Sequence, residues 1–270
     1  MLKNRIRLAC VQMSAGENIA ENLAKSCQWI SKAKKKGADL VCLPEVFHYR
    51  GRHEWFPQVA QTFSSPLVQT FQRLAARLEI GVLLGSVIEK GKTGRKFYNT
   101  SIMISEKGAI LGYYRKIHLF ESHMKKKMNI SESRHFLPGN KLGMAEFQGI
   151  KVGLTICYDI RFPELYRRLA LAGTEIIFVP SNFTEITGQA HWQVLLRARA
   201  IENQVYIVAP AQVGKNPATG VKSFGESLIV DPWGEILAKG SRHREELIVA
   251  TLDRKFRFEL REQFPVFKSL

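Results

Sequence analysis

Between Gly153 and Leu165 the chain reads Gly-Leu-Thr-Ile-Cys-Tyr-Asp-Ile-Arg-Phe-Pro-Glu-Leu, and this run limits the possible folds more than any other stretch. An apolar segment ends at Cys157, a polar turn follows, and Pro163 stands where a helix would open. The layout predicts a thiol lifted to the tip of a buried strand and aimed at a helix start. N–H groups there lack partners inside the helix, and the local dipole favours an anion, so a thiolate-prone nucleophile is expected. A purely structural cysteine more often sits mid-strand among apolar neighbours.

Periodicity places further elements on both sides of this run. Strands are expected at Arg5–Gln12, Asp39–Leu43, Ile80–Ile88, Phe97–Ile104 and Ala109–Tyr114, then at Met144–Phe147, Ile150–Ile156 and Glu175–Pro180. Others are expected at Val205–Ala211, Ser227–Val230, Ile236–Leu237 and Leu247–Leu252. Helical spacing appears over Asn18–Lys35, Pro66–Leu78, Pro163–Ala172 and Gly188–Glu202. Residues Phe120–Asn140 read as a long polar loop, and the tail beyond Leu252 as a helix followed by an extended end. No linker-like stretch, composition shift or tandem repeat divides residues 1–270. One domain, a mixed α/β fold with helices outside the sheet, is therefore expected.

The totals exclude several classes. At 270 residues and 45% hydrophobic content the chain can bury a substantial core, yet it holds no apolar run long enough to span a bilayer. The opening Met1-Leu2-Lys3-Asn4-Arg5 lacks a signal-peptide core, so a cytoplasmic location is expected. Cys10, Cys27, Cys42 and Cys157 are irregularly spaced, and His53-Glu54 does not extend to H-E-x-x-H. No metal is expected from this spacing. A net charge of +16 is spread along the chain, with short runs only at Lys34–Lys36 and Lys125–Lys127. Solvated basic faces explain it without nucleic acid, and steering of an acidic small substrate is the functional alternative.

Three polar residues close strand-like segments: Glu45 after Val41-Cys42-Leu43-Pro44, Lys116 after Leu111–Arg115, and Cys157 after Val152–Ile156. A base, a cation and a thiol gathered at strand ends would make a hydrolytic set. At these positions the chain resembles the nitrilase superfamily of carbon–nitrogen hydrolases. The blocks that carry the resemblance are Leu43-Pro44-Glu45 with Phe47, Tyr114–Phe120, Cys157–Leu165, Thr187–Trp192 and Val230–Gly234, in the family's order.

The resemblance implies an α-β-β-α sandwich that pairs into a homodimer or larger assembly. It implies Glu45 as general base, Lys116 as the cation, Cys157 as the nucleophile and Glu132 as a second, supporting glutamate. No cofactor is implied. Tyr158 through its backbone N–H, with Arg161, Asn182 and Phe183, are expected to contact substrate. Arg161–Leu165, Thr187–Trp192 and Arg197–Ala200 look most like the branch holding deaminated-glutathione amidase and omega-amidase. The expected reaction is thioester-mediated hydrolysis of a small carboxylate-bearing amide to acid and ammonia. A nitrilase, an N-carbamoyl or ureide hydrolase, and a non-catalytic basic binding protein on the same fold remain as alternatives. The segment after Leu119-Phe120 departs from the family pattern, which leaves the role of residues 121–130 open.

Overall fold

A computed structural model describes residues 4–124 and 128–269. The Lys125–Lys127 run lies outside them. The first half comprises β1 (Arg5–Gln12), α1 (Ile19–Lys35), β2 (Leu40–Cys42), α2 (Phe56–Val59), α3 (Pro66–Leu78), β3 (Gly81–Lys90), β4 (Phe97–Ile104) and β5 (Ile110–Arg115). A hairpin of β6 (Glu121–Met124) and β7 (Met128–Ser131) follows. Next come β8 (Gly143–Phe147), β9 (Ile150–Leu154), α4 (Pro163–Leu171), β10 (Ile176–Phe178), α5 (Glu185–Asn203) and β11 (Tyr206–Ala209). The chain closes with β12 (Val213–Lys215), β13 (Lys222–Phe224), β14 (Leu228–Val230), β15 (Ile236–Lys239), β16 (Glu246–Asp253) and α6 (Arg254–Gln263).

Two six-stranded sheets form, in the orders β16-β1-β2-β3-β4-β5 and β15-β14-β11-β10-β9-β8. The strands β1, β2 and β3 of one sheet are parallel, as are β9, β10 and β11 of the other, and antiparallel strands flank both trios. Side-chain alternation explains how the first sheet serves two cores. Ile6, Leu8 and Cys10 of β1 face the second sheet, whereas Ala9 and Val11 pack beneath α1 and α3. The same split divides Leu40 and Cys42 from Val41, and Leu83 from Val82 and Leu84. Strands buried on both faces become near-continuous apolar runs, as in the wholly buried Leu40-Val41-Cys42 and Ile176-Ile177-Phe178. Trp192, Leu196 and Ala200 of α5 and Leu165 and Leu169 of α4 join the core of the second sheet. The layers therefore run helix, sheet, sheet, helix, as the family resemblance implies, whereas periodicity alone suggests helices around a single mixed sheet.

Local chemistry sets the helix ends. The Asn18 side chain accepts the Glu21 N–H at 3.3 Å, and Lys32, Lys34 and Lys35 occupy the last turn of α1, where cations complement the helix dipole. Ser65 caps α3 just before Pro66.

Three expectations need correction. Residues 120–140 are not an irregular loop: they contain the β6–β7 hairpin and a 3-10 turn at Glu132–Arg134. The end of the chain turns into 3-10 geometry at Val266–Ser269 rather than extending. The β12–β13 hairpin, too short to show a clear period, has no counterpart in the sequence reading.

Candidate active site

Glu45 follows β2 through Leu43-Pro44, and Gly85 on β3 makes room for that passage. A Cβ at Gly85 would fall 1.7 Å from the Leu43 carbonyl oxygen and 2.6 Å from that of Pro44. The turn continues through Val46, a β-branched residue held at φ 47°, with its N–H donating to Ser86 Oγ at 2.8 Å. Positive φ in such a residue persists only where its surroundings dictate it. Glu45 itself is buried, and both carboxylate oxygens are engaged. Oε1 accepts from Lys116 Nζ and Asn99 Nδ2, each at 2.9 Å, and Oε2 accepts from the Asn182 N–H at 2.7 Å.

Lys116 leaves β5 with its backbone N–H donating to the Asn99 carbonyl at 2.9 Å. Its side chain is fully buried between two glutamates: Nζ lies 2.9 Å from Glu45 Oε1 and 2.8 Å from Glu132 Oε2. Burial alone would push the Lys116 ammonium down, but Glu132, Glu45 and Cys157 together drive it well up. Glu132 opens the 3-10 turn beyond β7 and accepts the Phe120 N–H at 2.8 Å. Burial raises its carboxyl above the ordinary range, with Lys116 opposing and Glu45 reinforcing the shift. Two carboxyl groups thus share one ammonium.

Cys157 arrives from the other sheet. The chain leaves β9, and Cys157 adopts φ 48° at the start of the 3-10 turn Cys157–Arg161, its N–H donating to the Pro180 carbonyl at 3.0 Å. A buried network fixes the turn. Asp159 accepts the Tyr114 hydroxyl at 2.9 Å, the Ile156 N–H at 2.9 Å and the His118 N–H at 3.1 Å, while His118 Nδ1 lies 2.7 Å away. The His118 ring stacks on Phe162 with centroids 3.6 Å apart. Asn182, after β10, donates its backbone N–H to Glu45, and the same amide lies against the thiol.

The thiol does not behave as the strand-tip position suggests. Burial pushes Cys157 well up, and Glu45 pushes it further, against the pull of Lys116. Cys157 rests as a neutral thiol, because water exclusion and a neighbouring carboxylate outweigh the helix start. Cys10 and Cys42 are likewise pushed up by burial, away from the site.

Glu45, Lys116, Glu132, Cys157 and Asn182 line one cavity of about 670 Å³. Tyr158, Arg161 and Phe183 are not among its lining residues. They pack beside it: the Arg161 guanidinium lies 5.6 Å from the Tyr158 ring centre and 5.2 Å from that of Phe183. The Tyr158 N–H, second in its 3-10 turn, belongs to the set of amides without partners inside a helix. Sequence reasoning missed Asn99, a polar residue inside the apolar run Phe97–Ile104 that could have been noticed. It also missed Arg50, Ser223 and the ring pair His53–His135, stacked at 4.2 Å, all on the cavity wall. Among the described residues no group of three or more His, Cys, Asp or Glu could hold a metal ion.

Residues 7–261 match the family model described as carbon-nitrogen hydrolase. The chain belongs to the carbon–nitrogen hydrolase family. An omega-amidase from Bos taurus is 36% identical over 263 residues, spanning 97% of this chain and 94% of that protein. A deaminated glutathione amidase from Mus musculus is 38% identical over 269 residues, spanning 97% of this chain and 82% of that protein. The crystal structure of the C. elegans NitFhit protein superposes with a TM-score of 0.92 at 33% identity, covering 100% of this chain and 66% of that one. This carbon–nitrogen hydrolase has the nitrilase-type sandwich expected from its sequence, and it acts on non-peptide C–N bonds. No helix of the structure is long and apolar enough to cross a membrane among the described residues.

Proposed function

We propose that the chain is a cysteine-dependent amidase that converts a small carboxylate-bearing amide into acid and ammonia. The observation that carries this reading is the Glu45–Lys116–Glu132 cluster, built on a buried ammonium, on the same cavity wall as Cys157. Glu45 takes the Cys157 proton as sulfur attacks the amide carbon, which a neutral resting thiol requires. Charge develops on the former carbonyl oxygen, where the Lys116 ammonium and the Tyr158 N–H serve as donors. One such donor is worth about 3–4 kcal/mol of barrier. Glu45 then gives its proton to the departing nitrogen, which leaves as ammonia and a thioester remains. Water next loses a proton to Glu45 and attacks the thioester; the C–S bond breaks, Glu45 returns that proton to sulfur, and the acid departs. Glu132 holds Lys116 in place throughout.

The names of the relatives support the substrate class: one is an omega-amidase, another a deaminated glutathione amidase. A cavity of about 670 Å³ sits within the range of small-molecule sites and has room for the longer of these amides. A cytoplasmic setting, with its reducing thiol pool, suits a mechanism that needs Cys157 free. Self-association through the outer helices fits the exposed Leu171 of α4 and Ile186, Val194 and Ile201 of α5. Light scattering at micromolar concentration should give a dimer or larger assembly; a monomer would remove that element. The function is tested by ammonia release from deaminated glutathione, 2-oxoglutaramate and simple nitriles. Turnover of the two amides is expected, and turnover of nitriles alone would overturn the reading.

A further inference from the structure

Arg50 is buried, 2% exposed, on the wall of the cavity that holds Cys157. Its contacts are unusual for a buried guanidinium. Nε donates to the Ala15 carbonyl at 2.9 Å, and Nη2 to Ser14 Oγ at 2.9 Å, the Val213 carbonyl at 3.2 Å and the Lys215 carbonyl at 2.9 Å. Nη1 donates to Ser223 Oγ at 2.8 Å. Every one of these acceptors is neutral, and no carboxylate of the described residues lies within ion-pair distance. Glu245, the acid whose field reaches Arg50, is engaged by Lys25 Nζ and the Ser14 N–H, each at 2.7 Å. Burial accordingly pulls Arg50 down to about 10, far above neutrality, so the positive charge persists. Buried charges are normally paired, because an unpaired one costs several kcal/mol.

We propose that Arg50 is the specificity residue that binds the carboxylate of the substrate, using its remaining Nη1 hydrogen and its unpaired charge. The proposal rests on the amidase reading above and assigns the residue that selects an acidic amide. Nη1 carries two hydrogens and gives one to Ser223, so one is left for a ligand. The guanidinium plane is already fixed by its other bonds, so an anion meets a preorganised donor. It shares one cavity wall with Cys157, as recognition of a small bifunctional molecule requires. Ser223 Oγ donates to Asn182 Oδ1 at 2.6 Å, and the Asn182 N–H donates to Glu45 Oε2 at 2.7 Å. Only these few contacts separate Arg50 from the base. The reacting end offers two carboxyl groups and one ammonium, a poor place for a second anion, so an acidic substrate needs a cation elsewhere on the wall. Arg134, the other arginine there, is exposed at the rim, and Arg161 lies outside the lining.

The test compares the monoamide of a dicarboxylic acid with its methyl ester, measured as kcat/KM for ammonia release. Wild-type enzyme is expected to prefer the free acid. Arg50→Gln should reduce that preference about 100-fold, as for loss of a charge-assisted hydrogen bond, and Arg50→Lys should retain part of it. General damage to the fold divides out of the ratio. A preference that survives in Arg50→Gln overturns the inference, as does a wild-type enzyme that treats acid and ester alike. In the latter case ammonia is still released and the amidase reading stands; release from neither compound sinks the amidase reading itself. If Arg50→Gln fails to fold, a Cys157→Ala structure with the monoamide bound decides. A carboxylate within hydrogen-bond distance of Arg50 Nη1 supports the assignment, and one bound at Arg134 or Arg161 overturns it.

Discussion

The sheet built around β1, β2 and β3 brings charge to the cavity, and the sheet built around β9, β10 and β11 brings sulfur. Each is held by different means. Glu45 and Lys116 are fixed mostly by each other, through side-chain bonds to Asn99, Glu132 and the Asn182 amide. Cys157 is fixed by its backbone: a left-handed φ, an N–H bound to Pro180 and a turn pinned by Asp159. Charged groups can be restrained by strong, directional partners, whereas a thiol forms only weak hydrogen bonds and must be placed by the chain carrying it. A neutral thiol is also inert until the opposite sheet supplies a base. On the proposed mechanism neither half has a function alone.

Removing either half should therefore be enough to stop the reaction, and this is the largest expected effect. Cys157→Ala should lower kcat for ammonia release by roughly 10⁵–10⁶-fold, and Glu45→Gln by roughly 10⁴-fold. Groups that act as a unit are not additive, so the double variant should be no slower than Cys157→Ala alone. A double variant whose losses multiply would show that the two sheets act independently.

Lys116 tests whether the charged half is a catalytic device, a structural one, or both. Lys116→Met deletes the proposed oxyanion donor and should lower kcat about 10²–10³-fold. It also leaves the buried Glu45 and the half-buried Glu132 carboxyl groups without their cation, which should cost about 3–5 kcal/mol in urea unfolding at pH 8. Without Lys116 the Glu132 carboxyl loses the partner that lowers it, so the native state retains a proton that the unfolded chain has released. Stability of the variant should then rise as pH falls from 8 towards 5. An equal deficit at both values would mean that the carboxylates remain ionised and solvated.

The two halves were unequally legible in the sequence. Glu45, Lys116 and Cys157 stand at strand ends, and a strand end is something that periodicity can locate; β1, α3 and β4 have the residue bounds that spacing predicts. What the surroundings do to those groups is another matter. The thiolate preference expected at a helix start is reversed by burial and by Glu45, which lies 112 positions upstream yet touches the same Asn182 amide. Arg50 escaped for the same reason. Its acceptors come from residues 14–15, 213–215 and 223, so nothing near it in sequence marks it as buried. The β6–β7 pairing hid behind glutamate, serine, histidine and asparagine, a composition that reads as loop.

Glu132 sharpens the comparison from the charged side. Burial raises its carboxyl, so the folded protein holds a proton after the unfolded chain has lost it. That contribution is complete below the ordinary value of 4.5 and fades as pH rises through the raised one. Glu132→Gln removes the fading, so thermal unfolding should shift in the variant's favour between pH 4.5 and neutrality. Activity should fall about 10- to 100-fold because Lys116 loses one of its two carboxyl partners. A variant whose stability relative to wild type ignores pH would deny that Glu132 titrates in the fold.

The smallest effect is expected from the turn that carries the sulfur. Asp159 accepts from Tyr114, Ile156 and His118 and touches none of the cavity-lining charges directly. Asp159→Asn keeps the shape but exchanges one acceptor oxygen for a donor, leaving the Tyr114 hydroxyl or the His118 ring facing another donor. The cost should be about 1–3 kcal/mol of stability, the penalty for an unsatisfied buried polar group. If the turn only needs to be present, kcat should follow the folded fraction and recover fully at low temperature. If its geometry aims the thiol at the carbonyl carbon, kcat should stay about 10-fold low in fully folded protein, with KM little changed, because small misplacements of a reacting group cost rate rather than binding. Since among the described residues no side-chain bond holds the sulfur as the ion pairs hold Glu45, the second outcome is expected. The opposite result would mean that the strained backbone at Cys157 is sufficient without its acidic anchor.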